Sequence, residues 1–206
     1  MIKAIFFDMG GVLRSLDLSR CWTSFRALGW ENIDEFVHPT HQKQFIGEFE
    51  RGEIDTERFL DLCCSHCRPG TTHEQARAAF LSLLDDNMDK AKADFLNELK
   101  AAGYELFILS NNNPISSAQF VTKCAEAGVD VDKVFTRSFY SFEMRLMKPY
   151  PEIYREAIRL SGYLPAEILF VDDSQKNLDA ARAEGIQTLL YTPGTDLKHC
   201  VMNRLI

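Results

Sequence analysis

Three short apolar runs along the chain each end in polar residues. The runs cover residues 2–7, 104–109 and 168–171, and the polar residues that follow them are Asp8, Ser110-Asn111 and Asp172-Asp173. Such short runs are typical of strands that are buried on both faces of a parallel sheet. We therefore predict three buried strands whose carboxyl ends carry polar side chains.

Helical patterns separate these strands. Apolar residues recur at helical spacing before the second and third strands, and a glycine follows each set (Phe95, Leu99, Ala102 and Gly103; Ile153, Ala157, Leu160 and Gly162). A further helix is predicted over residues 177–184, closed by Gly185, and a last strand over residues 187–191. Alternating strands and helices imply right-handed crossovers, so the predicted fold class is α/β, a Rossmann-like doubly wound parallel sheet.

Residues 15–88 interrupt this alternation. They contain amphipathic helical stretches, such as the one with Ala76, Phe80, Leu83 and Leu84, but no convincing strand. We predict a small α-helical cap inserted after the first strand. The hydrolase-type core then comprises residues 1–14 and 89–206, and the cap comprises residues 15–88.

Composition and charge narrow the partners. The 206-residue chain is 46% hydrophobic and carries a formal net charge of −7, which argues against nucleic acid or an anionic membrane as the main partner. No apolar run approaches the roughly 20 residues that span a bilayer, and the first segment lacks the features of a signal peptide. We expect a soluble, cytoplasmic protein. Whether it is a monomer or a dimer stays open.

Six irregularly spaced cysteines indicate reduced thiols and not a disulfide framework. Three of them lie close together with a histidine, in Cys63-Cys64-Ser65-His66-Cys67, which superficially resembles a zinc site. No second Cys/His pair follows at a suitable spacing, and the cysteines share one helical face with Leu60. We interpret this face as part of an apolar core.

The carboxylates at the strand ends suggest a metal site. Ligands of open parallel sheets bind beyond the carboxyl ends of the strands, where Asp8, Asp172 and Asp173 would crowd together. Such a cluster repels itself unless a cation joins it. Mg²⁺ is the cation that prefers carboxylates, carbonyl oxygens, waters and shared phosphates.

Four segments in order resemble the motifs of the haloacid dehalogenase superfamily. They are Phe6-Phe7-Asp8-Met9-Gly10-Gly11-Val12-Leu13, Leu109-Ser110-Asn111, Met147-Lys148-Pro149 and Phe170-Val171-Asp172-Asp173. The resemblance spans nearly the whole chain, and the predicted insertion is similar to the superfamily's first class of cap. Motif one and Glu50-Arg51-Gly52-Glu53-Ile54 look most like the branch that includes an α-D-glucose-1-phosphate phosphatase.

The resemblance implies a role for each matching residue. Asp8 would be the nucleophile that forms an aspartyl-phosphate, and the carboxylates of Asp8 and Asp172 with the carbonyl of Gly10 would bind Mg²⁺. Asp173 would be a further ligand or orient a metal-bound water; an N-cap role at the next helix is the alternative. Ser110 and Asn111 would hold the phosphoryl oxygens, and Lys148 would balance the negative charges. The implied activity is a Mg²⁺-dependent phosphatase acting on a small phosphorylated metabolite.

One position departs from most phosphatases of the superfamily. They carry a second aspartate two residues after the nucleophile, which protonates the leaving oxygen, whereas this chain has Gly10. General acid–base catalysis typically contributes about 10²–10⁴-fold. We therefore expect substrates with good leaving groups, such as sugar 1-phosphates or acyl phosphates, to react faster than alkyl phosphates.

Two other readings of the same motifs remain. A metal-free 2-haloacid dehalogenase would use Asp8 to attack carbon and needs no proton for its leaving group; the Asp172-Asp173 pair argues against it. A catalytically silent regulatory or binding protein is the other reading, and the intact Asp8, Lys148 and Asp172 argue against that one.

Substrate contacts in the cap are harder to predict from the sequence. Arg20 is our candidate for binding the substrate, and four other residues near the cap entrance offer cationic or aromatic groups, namely Arg14, Trp22, His38 and His41. Arg145 and Tyr150 stand where relatives commonly carry Gly and Asp. Arg145 either adds a cation near the anion site or faces solvent.

Overall fold

A five-stranded parallel sheet forms the centre of the computed structural model, which describes residues 1–37, 44–84 and 87–205. The strands are β1 (Ala4–Phe7), β2 (Glu105–Ser110), β3 (Phe135–Tyr140), β4 (Ile168–Asp172) and β5 (Gln187–Leu190), in the order β3-β2-β1-β4-β5. β1 pairs in parallel with β2 on one side and β4 on the other. Asp8, Ser110 and Asp172 therefore reach the same edge of the sheet.

Helices cover both faces of this sheet. One face packs against α5 (Lys90–Ala101), α6 (Pro114–Glu126), α7 (Val131–Val134) and α11 (Leu197–Leu205), and the other against α9 (Pro151–Ser161) and α10 (Gln175–Ala183). Alternate strand residues serve the two cores, so that Ile5 and Val171 enter one while Phe6 and Phe170 enter the other. This is the predicted doubly wound α/β fold.

The sequence analysis missed strand β3. Its central residues, Thr136 to Ser138, are polar, because this strand lies at the edge of the sheet and is partly exposed. A strand with one partner and an exposed middle lacks the continuous apolar run that identified β1, β2 and β4. The short helix α8 (Ser141–Met144) follows β3 directly.

Between β1 and α5, the described residues form four α-helices, α1 (Leu18–Ala27), α2 (Gln44–Glu50), α3 (Thr56–His66) and α4 (His73–Leu81). They enclose a separate apolar cluster around Trp30, Phe45 and Phe59, which Ile115 of α6 joins. The two connections to the sheet run side by side, where Asp17 N–H donates to the Leu83 carbonyl at 2.8 Å. We call α1–α4 the helical insertion; its predicted limits at residues 15 and 88 stay a prediction.

The cysteines pack as the sequence analysis expected of a core face. Cys63 is fully buried in the apolar cluster of the insertion, and burial raises the pKa of its thiol. Within the described ranges, only the three aspartates Asp8, Asp172 and Asp173 come close enough together to form a metal site, so no such group includes these thiols. In that same part of the chain, no helix is long and apolar enough to cross a membrane.

Replacing Cys63 with serine should lower the free energy of unfolding by about 1–3 kcal/mol, because a hydroxyl would be buried in an apolar cluster. Cys64→Ser is the matched control: it changes a partly exposed cysteine on the same helix and should cost less than about 0.5 kcal/mol. Urea unfolding of both variants measures the difference. Equal losses would contradict the placement of Cys63.

Candidate active site

A buried lysine joins two carboxylates at the carboxyl edge of the sheet. The Nζ atom of Lys148 lies 2.9 Å from Oδ1 of Asp8 and 2.7 Å from Oδ2 of Asp172. Asp8 follows β1, Asp172 ends the neighbouring β4, and Lys148 enters from the segment before α9. Parallel pairing of β1 with β4 thus creates the pair of carboxylates that the lysine bridges.

Burial and the neighbouring charges shift the pKa values of Asp8 and Lys148. Burial raises the pKa of Asp8 to about 7; Lys148 opposes this effect and Asp172 adds to it. Although burial alone would lower it, the pKa of Lys148 is raised, because the carboxylates of Asp172 and Asp8 hold the ammonium in its charged form. The Asp8 carboxylate also accepts hydrogen bonds from the N–H of Met9, at 2.7 Å, and from the hydroxyl of Ser110.

Asp172 is held by the start of the helix that follows it. Its carboxylate accepts the N–H of Ser174 at 2.7 Å and the side-chain amide of Asn177 at 3.1 Å to each oxygen. Ser174 is the N-cap residue of α10, so the alternative N-cap role of Asp173 is not the one adopted. Asn177 was missed in the sequence analysis; a polar residue in the first turn after a carboxylate was the available signal.

Asn111 contacts the backbone of Lys148. Its side-chain amide donates to the Lys148 carbonyl at 2.9 Å, and its side-chain oxygen accepts the Lys148 N–H at 2.8 Å. Both polar ends of the Asn111 side chain are therefore engaged. The side chain of Asn111 therefore positions Lys148. The predicted contact with a phosphoryl group would be made by the backbone N–H of Asn111 instead.

Three carboxylates form a group suited to a cation. Oxygens of Asp8, Asp172 and Asp173 all lie within 4.8 Å of one another, and the one ammonium of Lys148 balances only part of their charge. Asp173 is the most exposed of the three, and its pKa is raised by partial burial and by Asp172. Oxygen ligands with excess negative charge fit Mg²⁺.

Gly11 leaves room for Asp173. Its φ is +77°, and a Cβ atom at this position would lie 2.0 Å from Oδ2 of Asp173. Any side chain here would displace that carboxylate. The second glycine of the turn therefore serves the predicted metal site directly.

Leu16 covers Gly10. A Cβ atom on Gly10 would lie 2.9 Å from Cδ1 of Leu16, and Leu16 is itself 47% exposed where the insertion leaves the sheet. Beside Asp8, the space in which the family's second aspartate would project is thus occupied by an apolar side chain. The predicted role of the Gly10 carbonyl as a metal ligand stays a prediction.

The candidate substrate contacts of the insertion are dispersed. Arg20 lies in the first turns of α1, half-buried and close to Asp17, and its role in binding stays a prediction. Arg14 is fully buried, and Trp22 donates its indole N–H to the carbonyl of Val37 inside the insertion. His38 and His41 fall outside the described residues.

The two unusual positions near Lys148 have distinct explanations. Arg145 ends α8 with a φ of +54°, a left-handed conformation that glycine adopts most readily, which explains the glycine of relatives. The Arg145 side chain is exposed and close enough to Glu53 to help lower the pKa of that carboxyl, whose main partner is Arg51. Tyr150 is exposed at the start of α9.

Comparisons with known proteins agree with this geometry. The chain is 29% identical over 197 residues to a D-ribitol-5-phosphate phosphatase of Bacteroides thetaiotaomicron, covering 95% of each chain. It is 28% identical over 191 residues to an (S)-2-haloacid dehalogenase of Pseudomonas putida, covering 87% of this chain and 80% of the relative.

A solved structure adds ligands to the comparison. A HAD family enzyme of Bacteroides thetaiotaomicron, an aspartate-to-alanine mutant in complex with magnesium and inorganic phosphate, superposes with a TM-score of 0.90 at 31% identity. The match covers 97% of this chain and 98% of the other. The model of the haloacid dehalogenase-like hydrolase family matches residues 2–185. The chain therefore belongs to the haloacid dehalogenase-like hydrolases.

Proposed function

We propose that this hydrolase is a Mg²⁺-dependent phosphatase that acts on a small phosphorylated sugar or polyol through an aspartyl-phosphate. The observation that carries the proposal is the group of three carboxylates, Asp8, Asp172 and Asp173, around Lys148. A third carboxylate favours a cation in the site, whereas a metal-free dehalogenase does not require it. The phosphatase relative, with its named substrate D-ribitol 5-phosphate, supports the substrate class.

Each residue of the site would have its own role in the reaction. A carboxylate oxygen of Asp8 attacks phosphorus as the bond to the leaving oxygen breaks, and the leaving oxygen takes a proton from solvent. Water then attacks the phosphorus of the aspartyl-phosphate, the bond between phosphorus and the Asp8 oxygen breaks to restore the carboxylate, and the proton of that water passes to solvent as phosphate is released. Lys148 stabilises the charge that the phosphoryl oxygens carry beside Asp8, while Ser110 orients the Asp8 carboxylate. Asn111 and Asn177 keep Lys148 and Asp172 in place.

Asp8, Asp172 and Asp173 would hold Mg²⁺, with the Gly10 carbonyl as the further ligand that the family resemblance implies. When bound, the cation supplies positive charge that offsets the carboxylates and the phosphoryl group. An acidic site thereby accepts an anionic substrate.

A substrate panel with and without Mg²⁺ tests the proposal. We expect phosphate release from sugar and polyol phosphates that EDTA abolishes and that Asp8→Asn lowers by at least about 10³-fold. Asp179→Asn, which changes an exposed aspartate of α10, is the control and should retain activity.

The rival functions predict other outcomes of the same panel. Chloride release from 2-chloropropionate would favour the metal-free dehalogenase, and hydrolysis of p-nitrophenyl phosphate that survives EDTA unchanged would contradict a Mg²⁺-dependent phosphatase. No phosphate release from sugar, nucleotide or acyl phosphates, together with no effect of Asp8→Asn, would establish the silent protein.

Gly11→Ala should raise the Mg²⁺ concentration for half-maximal activity by at least about tenfold, because the new methyl group displaces Asp173. Gly162→Ala is a matched control, since Gly162 has the same φ of +77° and nothing within 4 Å of a Cβ atom. It should share the backbone strain without the change in Mg²⁺ requirement. Activity measured against Mg²⁺ concentration separates the two effects.

Wild-type protein should hydrolyse glucose 1-phosphate with a higher kcat/KM than glucose 6-phosphate, since no carboxyl group projects from Gly10 to protonate a poor leaving group. The double variant Gly10→Asp with Leu16→Ala clears the covered space and supplies a carboxyl group, so it should narrow this ratio by about tenfold or more. Leu16→Ala alone is the control. Equal kcat/KM values in the wild type would contradict the expectation.

A further inference from the structure

The hydroxyl of Ser141 contacts both the helical insertion and the loop after β2. Ser141 is fully buried, and its hydroxyl donates to the backbone carbonyl of Glu50 at 2.6 Å. The same oxygen accepts the N–H of Asn112 at 3.0 Å, and the Asn112 carbonyl, at 3.2 Å, is a second acceptor within reach of its single proton. One side chain thus joins the insertion to the loop after β2.

The pairing of β2 with β3 places Ser141 beside this loop. In the parallel register, Ser110 at the end of β2 lies opposite Tyr140 at the end of β3. Ser141 follows Tyr140 directly and begins α8, just as the loop with Asn112 follows Ser110. The edge strand therefore brings a buried hydroxyl to the carboxyl edge of the sheet, where the candidate active site lies.

Asn112 connects this hydroxyl to the nucleophile. Its buried side-chain amide donates to Sδ of Met9 at 3.3 Å, and the Met9 N–H donates to the Asp8 carboxylate at 2.7 Å. Asn112 also follows Asn111 and Ser110 in the chain, and the Ser110 hydroxyl bonds to Asp8. A displacement of Asn112 would therefore disturb both the turn after β1 and the loop that carries the proposed phosphoryl contacts.

The insertion packs closely against α8 where it reaches Ser141. Gly52 has a φ of +68°, and a Cβ atom there would lie 2.2 Å from the carbonyl oxygen of Phe142. On the other side of Glu50, Phe49 is fully buried in the apolar cluster of the insertion. The Glu50 carbonyl is thus held in front of Ser141 by the close packing of the insertion against α8.

We propose that Ser141 is a positioning residue that couples the packing of the insertion to the geometry of the loop after β2. A hydroxyl that donates its proton becomes a stronger acceptor, because hydrogen bonds in a chain polarise one another. With the Glu50 carbonyl in place, Ser141 donates to it and holds the Asn112 N–H firmly. Without that carbonyl, the proton turns to the Asn112 carbonyl and the loop is held less firmly. The inference rests on the proposed phosphatase function, in which this loop contacts the phosphoryl group.

A double-mutant cycle with p-nitrophenyl phosphate and Mg²⁺ tests the coupling. Ser141→Ala should lower kcat by about 10- to 100-fold with a smaller change in KM, because the loop no longer holds its N–H groups in position for the transition state. Gly52→Ala, which pushes the insertion away from α8, should lower kcat as well. The kcat of the double variant should lie within about threefold of that of Ser141→Ala, since the link is already broken. Losses that multiply would overturn the proposal.

Ser117→Ala is the matched control for the loss of a buried hydroxyl. Ser117 lies in α6, and its hydroxyl donates to the Pro114 carbonyl of the same helix at 3.2 Å. This variant should keep the kcat of the wild type. Thermal unfolding of each variant verifies that the fold is retained. Should Ser141→Ala not fold, Ser141→Cys, which keeps a weaker donor and acceptor, takes its place and should show smaller losses of the same kind.

Hydrogen exchange tests the coupling without any substrate. The backbone amides of residues 111–113 should exchange at least about tenfold faster, relative to those of α9, in Ser141→Ala and in Gly52→Ala. They should exchange as in the wild type in Ser117→Ala. Unchanged exchange in Gly52→Ala would overturn the proposal even if the wild type is an active phosphatase. Faster exchange in both variants of a protein that releases no phosphate would support the coupling and contradict the phosphatase function alone.

Discussion

The contact of Lys148 with Asp8 and Asp172 is the interaction on which the site depends. All three groups are almost fully buried, so the free energy of removing them from water must be offset by short, well-directed contacts. Asn111 fixes the backbone of the lysine, and Asn177 fixes the carboxylate of Asp172. The surrounding polar residues are thus necessary for the charged groups to occupy a desolvated site at all. A preorganised site of this kind stabilises charge in a transition state without reorganising.

The strand order of the sheet brings the residues of the site close together. Because β1 lies between β2 and β4, the residues at the carboxyl ends of these three strands lie side by side, although Asp8 is 102 residues before Ser110 and Ser110 is 62 residues before Asp172. Right-handed crossovers leave the loops at this edge free to carry polar side chains. The insertion emerges from the first of these loops, so its helices lie next to the nucleophile without any change to the sheet.

Sequence patterns were sufficient for the buried strands and for the charged residues, and insufficient for the groups that orient them. The sequence identifies β1, β2 and β4 because both of their faces are apolar, whereas the edge strand β3 is half polar and was missed. Asp8, Lys148 and Asp172 stand in a recognisable order. Ser141 acts through hydrogen bonds to Glu50 and Asn112, far away in the chain, and no local pattern distinguishes it from ordinary polar residues. Asn177 lies only five residues after its partner Asp172, so its place in the first turn of α10 was a local signal that was overlooked. The contact of the Asn111 side chain with Lys148 could not be predicted either, since an amide next to a strand end can bind an anion as well as a backbone group.

The two sides of the proposed phosphoryl site have opposite chemical character, and this contrast links the insertion to the choice of substrate. Towards the sheet, Asp8, Lys148, Asp172 and Asp173 form a charged surface that the transferred group requires. Towards the insertion, Leu16 covers Gly10 with an apolar side chain, and the backbone carbonyl of Glu50 is joined to the loop after β2 through the hydroxyl of Ser141. The charged groups can therefore stay in place while the side chains at positions 10 and 16 change. In this chain the covered Gly10 offers no carboxyl group, which is the basis for our expectation that leaving parts able to depart without strong acid catalysis react fastest.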